Sequence, residues 1–146
     1  MTRSRVLALA IAMAASVSIQ AQAPQYRARL SVVPLDVPQQ ATIAGVGAAT
    51  AVLKGSTLTI NGTFSGLKTP ATVVHVLRSQ KPGMRGVPIG DLTATAETSG
   101  TISGVVDLTA AQIQDLQNSR LYVQRQSEKA PDGNLWGWLF VVEGKK

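Results

Sequence analysis

The chain has no cysteine, a single histidine and only eight acidic residues. Without cysteine it has no disulfide, no thiol nucleophile, no thiolate metal site and no cysteine that could carry a lipid at a processed N-terminus. A copper or zinc centre needs about three or four converging N, S or O donors. One imidazole, His75, and scattered carboxylates fall short of that. A hydrolytic triad on His75 would need an activated serine, and no Gly-x-Ser-x-Gly phrase occurs. Gly45-Val46-Gly47 sits in a β-type run with no helix after it, so it does not cradle a phosphate; small residues there suit close strand packing. No catalytic residue, metal or cofactor is expected.

Long apolar runs are also missing, apart from one at the N-terminus. Val6 to Ile19 carries no charge and is 14 residues long, short of the roughly 20 that a spanning helix needs. Arg3 and Arg5 precede it, and Ala21-Gln22-Ala23 follows it, with small residues at Ala21 and Ala23. A positive start, a short apolar stretch and an A-x-A end make a secretory signal peptide over residues 1–23, cut after Ala23. Residues 24–146 then form one domain in the periplasm or outside the cell, without a membrane span. That length suffices to bury a core, which must hold without disulfides.

The formal charge of +6 is lower in that domain. Two of the 14 Lys and Arg lie in the leader, so 12 face 8 acids there and leave +4. A small group, Arg78, Lys81 and Arg85, reads as a solvated basic surface. A nucleic-acid reader would show a basic stripe interleaved with aromatics, and none is present.

What is present is short alternating segments between Gly and Pro. Leu58, Ile60 and Phe64 share one face of residues 56–64, with Thr57, Thr59, Asn61 and Thr63 on the other. Further strands are predicted at 26–33, 44–53, 71–78, 101–108, 121–126 and 134–142. Residues 34–43 and 79–90 read as loops, the second ending in a short strand. Thr109 to Asn118 is the exception: Thr109 and Gln112 have capping-box spacing before a short amphipathic helix. The pattern is mainly β, a sandwich or barrel of antiparallel strands.

Several phrases, in order, resemble one family. They are Tyr26-Arg27-Ala28-Arg29-Leu30, Asp36-Val37-Pro38, Thr63-Phe64-Ser65-Gly66-Leu67, Pro70-Ala71-Thr72-Val73-Val74-His75-Val76, Leu108-Thr109-Ala110-Ala111-Gln112, Leu121-Tyr122-Val123 and Gly133-Asn134-Leu135-Trp136-Gly137-Trp138. Together they look like the CHRD (chordin-type) domain family, in a divergent bacterial exported form. The resemblance implies an antiparallel Greek-key β-sandwich of about seven to nine strands with one short crossover helix, in outline like copper/zinc superoxide dismutase. It implies no established activity. Relatives usually carry polar residues where this chain has Leu77, Gln126, Asn134 and Trp136, so a ligand set that relatives could form is mostly gone.

Alternation places Leu135, Gly137 and Leu139 on the core side and Trp136 and Trp138 outside, roughly 7 Å apart. By the same rule Val74, Val76, Leu121 and Val123 face the core. The outer face then holds an aromatic–apolar group, Leu77, Tyr122, Trp136 and Trp138, with His75, Gln124 and Gln126 as its polar members. This patch is the candidate binding site. Either the loop 79–90 or the helix covers it as a second small core, or it meets a protein partner or a second copy of the chain, or it stacks a glycan. Arg125 falls on the core side: either the strand end emerges there or Arg125 pairs with an acid. The function expected is a non-enzymatic exported binding or structural module. The alternative is a metal-dependent redox enzyme of superoxide-dismutase-like architecture, which would need ligands that the chain lacks.

Overall fold

The computed structural model describes residues 22–143. Of the leader and its cleavage residues, only Gln22 and Ala23 fall within them; residues 1–21, Ala21 included, lie outside. Nine strands run in chain order: β1 (Gln25–Val32), β2 (Val46–Lys54), β3 (Thr57–Ser65), β4 (Ala71–Arg78), β5 (Val87–Ala94), β6 (Gly100–Asp107), β7 (Leu121–Ser127), β8 (Ala130–Trp138) and β9 (Phe140–Val141). An α-helix, α1 (Ala110–Gln117), bridges β6 and β7, and a 3-10 turn, Pro38–Ala41, lies between β1 and β2. None of the described helices is long and apolar enough to cross a membrane.

The strands are antiparallel in the order β2-β3-β6-β5-β4-β7-β8-β1, and β1 pairs back onto β2. The expected sandwich is therefore a closed eight-stranded barrel, with β9 added beside β1. Two strands turn its corners. β1 pairs with β2 through Gln25–Leu30 and with β8 through Ser31 and Val32. β5 pairs with β4 up to Leu92 and with β6 through Thr93 and Ala94. A corner strand has no single solvent face, which is why β5 carries little alternation and runs on to Ala94, beyond the short strand expected at the end of the 79–90 loop. Its Pro88 and Gly90 further mask it.

Eight strands leave an interior just wide enough for side chains to fill. Leu58, Ile60 and Phe64 of β3, Val74 and Val76 of β4, Leu121 and Val123 of β7, and Leu135 of β8 all point into it, as alternation places them. In β2, a Cβ on Gly47 would lie 2.6 Å from the carbonyl oxygen of Thr63, so close strand packing is the use of that glycine. β8 begins at Ala130, earlier than its sequence suggests, because Pro131 and Gly133 interrupt the alternating pattern. It ends at Trp138, and Leu139 turns inward before β9.

The helix forms where the capping box places it. Gln112 N–H donates to Thr109 Oγ1 (3.2 Å), and Thr109 N–H donates to Gln112 Oε1 (3.0 Å). Its eight residues are too few to be stable without that cap and the docking of Leu116. Thr109→Ala is expected to lower stability by about 1 kcal/mol, whereas Thr109→Ser keeps it. Paired urea unfolding curves check this, and equal losses in both variants would show that the cap is not the cause.

Candidate functional site

The outer face of β4, β7 and β8 carries two rows of side chains set by strand register. His75 opposes Gln124, which opposes Trp136; Leu77 opposes Tyr122, which opposes Trp138. The residues expected to form a patch are thus brought together. Tyr122 stacks on Trp138 with centroids 4.5 Å apart and meets Trp136 edge-on at 6.0 Å, while the two indoles lie 4.7 Å apart at 70°.

The patch is not exposed. Tyr122 is fully buried, Trp138 is 7% exposed and Trp136 9%. With Leu77, Val33, Ile43 and Ala130 the rings form a second core outside the barrel. The β4–β5 loop, residues 79–86, folds over one side and the β1–β2 connection over the other. Ring polar atoms pin the first loop: Trp138 Nε1–H donates to Ser79 Oγ (2.9 Å), and Gly86 N–H donates to Tyr122 Oη (2.9 Å). Arg85 donates from Nη1 to the Asp132 carbonyl (2.9 Å) and lies 5.7 Å above the Trp136 ring. Of the three readings, the second small core under the loop holds, and the exposed aromatic surface for a partner or glycan is corrected. Six aromatic rings in the whole chain are few, and the fold spends three of them here.

The polar members are divided. His75 Nδ1 lies 2.6 Å from Asp91 Oδ1 on the neighbouring β5, with the histidine side chain 23% exposed. Gln126 is half-buried at a bulge in the β7–β8 pairing. Gln124 is buried: its Nε2 donates to the Asp132 carbonyl (3.3 Å), and its Oε1 has no partner among the described residues. Gly133, at φ +128°, passes over it, and a Cβ there would approach the Gln124 amide to 3.1 Å. One histidine beside one exposed carboxylate is too small a donor set for a metal centre. Among the described residues no group of three or more potential ligands converges.

Arg125 resolves into neither arrangement expected of it. It does not emerge and it has no acid. The side chain is fully buried in the barrel, with its guanidinium 3.3 Å from the centroid of the Phe64 ring. Nη2 donates to the Thr95 carbonyl (3.4 Å), while Nε and Nη1 have no partner among the described residues. Burial lowers its pKa to about 10.

Where the β4–β5 loop leaves the second core, it walls a groove of about 670 Å³. Arg78, Arg85 and Arg120 line it, with Met84 and Val87 at its rim. Behind the groove lies Asp115 of α1, its side chain only 6% exposed. Asp115 Oδ2 accepts from Arg78 Nε, and Oδ1 is 3.6 Å from Arg120 Nη1. Three guanidiniums against one carboxylate leave the groove positive. Two arginines of the basic group seen in the sequence line this groove, and Lys81 instead contributes its carbonyl, 3.0 Å from Ser79 Oγ. Asp115 and Arg120 gave no sequence signal. The register that sets Arg78 opposite Leu121, next to Arg120, exists only once β4 and β7 pair.

Fold and site define a small antiparallel β-barrel domain with a second core on one wall and a basic groove beside it. The sequence model of the CHRD domain matches residues 26–139, from β1 to the end of β8 and one residue beyond. The chain belongs to the CHRD domain family. No curated protein and no solved structure matches it significantly.

Proposed function

We propose that this chain is an exported, non-catalytic binding domain whose ligand enters the groove between the β4–β5 loop and the β4 and β7 ends. Export rests on the signal-peptide pattern of residues 1–23, and on its account the domain works in the periplasm or outside the cell. The observation that carries the binding role is the groove of about 670 Å³ lined by three arginines. The second core gives that groove a rigid wall. Its two tryptophans also make a reporter, since Arg85 touches Trp136 and Ser79 touches Trp138.

The test is a fluorescence titration of the purified protein with cell-envelope glycans and short peptides. A ligand of the groove shifts tryptophan emission saturably, and Arg85→Ala abolishes the shift. Silence across both panels favours a purely structural module. Mass analysis of the exported fraction checks the other half: a chain starting at Pro24 is expected, and an intact leader overturns export.

A further inference from the structure

We infer that the groove recognises an oxyanion (carboxylate, sulfate or phosphate) and that Asp115 is the positioning residue that aims two arginines at it; this rests on the groove being the binding site. Asp115 accepts a hydrogen bond from Arg78 Nε, and its other oxygen forms a looser ion pair with Arg120 Nη1 at 3.6 Å. The other N–H groups of both side chains make no hydrogen bond to a described residue, and the two side chains stay 50% and 44% exposed. Both arginines have the buried carboxylate behind them, Arg78 hydrogen-bonded to it and Arg120 drawn by its charge, and both are open in front. A planar donor fork fixed on one edge presents the other with little freedom to lose, the arrangement that suits two-point contact with an oxyanion. Arg85, tethered to the Asp132 carbonyl, adds a third charge from the loop side.

An ion-pair network that only docks α1 would need a single arginine. Here one buried carboxylate meets two, and a third arginine, which makes no ion pair among the described residues, lines the same groove. Met84 and Val87, 40% and 61% exposed, offer an apolar rim against which the body bearing the oxyanion can rest.

Inorganic sulfate is the probe, followed by amide NMR shifts across residues 79–87 and by tryptophan emission. Saturable shifts centred on Arg85 and Gly86 are expected, with affinity lost about tenfold in Arg120→Gln and in Arg85→Gln, as for removal of one charge-assisted hydrogen bond. Asp115→Asn makes the groove more positive but unties both arginines. Weaker sulfate binding in this variant, with thermal unfolding still cooperative, supports positioning, and equal or tighter binding overturns it. Competition by an oligouronate assigns the oxyanion to a glycan, and competition by an acidic peptide assigns it to a protein; either supports the proposal. Binding of a neutral glycan or peptide without any response to sulfate overturns the oxyanion while sparing the binding role. No response to any ligand ends both.

Discussion

Tyr122→Ala should cost about 3–5 kcal/mol of stability, the range for removing a large buried aromatic side chain. Tyr122 is fully buried and stands between two indoles, stacked on one and edge-on to the other. Its hydroxyl also accepts from Gly86 N–H, so the same substitution frees the loop that walls the groove. Tyr122→Phe separates the two contributions. It keeps the ring and leaves the Gly86 amide without its partner, for a loss of about 1 kcal/mol. Denaturant unfolding followed by tryptophan emission reads both variants. A loss under about 1 kcal/mol for Tyr122→Ala would mean that the rings behave as a loose surface group and not as a core. A surface patch built to receive a partner would show that smaller loss, because an exposed ring has little burial to forfeit.

The second large effect has the opposite sign. Arg125→Met is expected to stabilise the protein by about 1–4 kcal/mol, as when buried ionic groups give way to apolar ones of similar length. The wild-type residue carries a charge into a fully buried site where, among the described residues, it pairs with no carboxylate and two of its nitrogens lack partners. Its compensations are a cation–π contact with Phe64 and one long hydrogen bond to Thr95. The first is worth roughly 2 kcal/mol when desolvated, against several kcal/mol for taking the ion out of water. The lowered pKa has the same cause and fixes the sign with pH. A cation disfavoured by the fold binds its proton more weakly there than in the unfolded chain. The penalty is therefore complete at neutral pH and eases only above about pH 10. Phe64→Leu should destabilise the wild type more than it destabilises Arg125→Met, because only the wild type has a cation over the ring. A double-mutant cycle by thermal unfolding measures that coupling. A coupling near zero, or a less stable Arg125→Met, would refute this account of Arg125.

Both effects sit where alternation predicts a side chain's face correctly and still leaves its environment open. Period-two patterning is local, because successive Cβ atoms point to opposite sides of a strand whatever lies there. From it the sequence alone determined the β-rich class, the inward set of β3, β4, β7 and β8, and the shared outer face of Leu77, Tyr122, Trp136 and Trp138. The capping box of α1 was legible for the same reason, since its two hydrogen bonds span three residues. The ordered phrases that resemble a CHRD domain lie along the stretch that the family match covers. Closure of the barrel was not legible, because β1 pairs both with its chain neighbour β2 and, through Ser31 and Val32, with the distant β8. Nor was the choice between a covered and an exposed set of rings, or between the loop and the helix as cover: a loop rich in Gly and Pro shows where the chain turns, not which surface it lies on. The groove required four segments to meet: the end of β4, the β4–β5 loop, the buried side of α1 and the residue before β7. Tertiary structure alone decided that meeting, because Asp115 reads in the sequence as one polar residue of a short helix, and only the packing of α1 makes it the buried acid between Arg78 and Arg120.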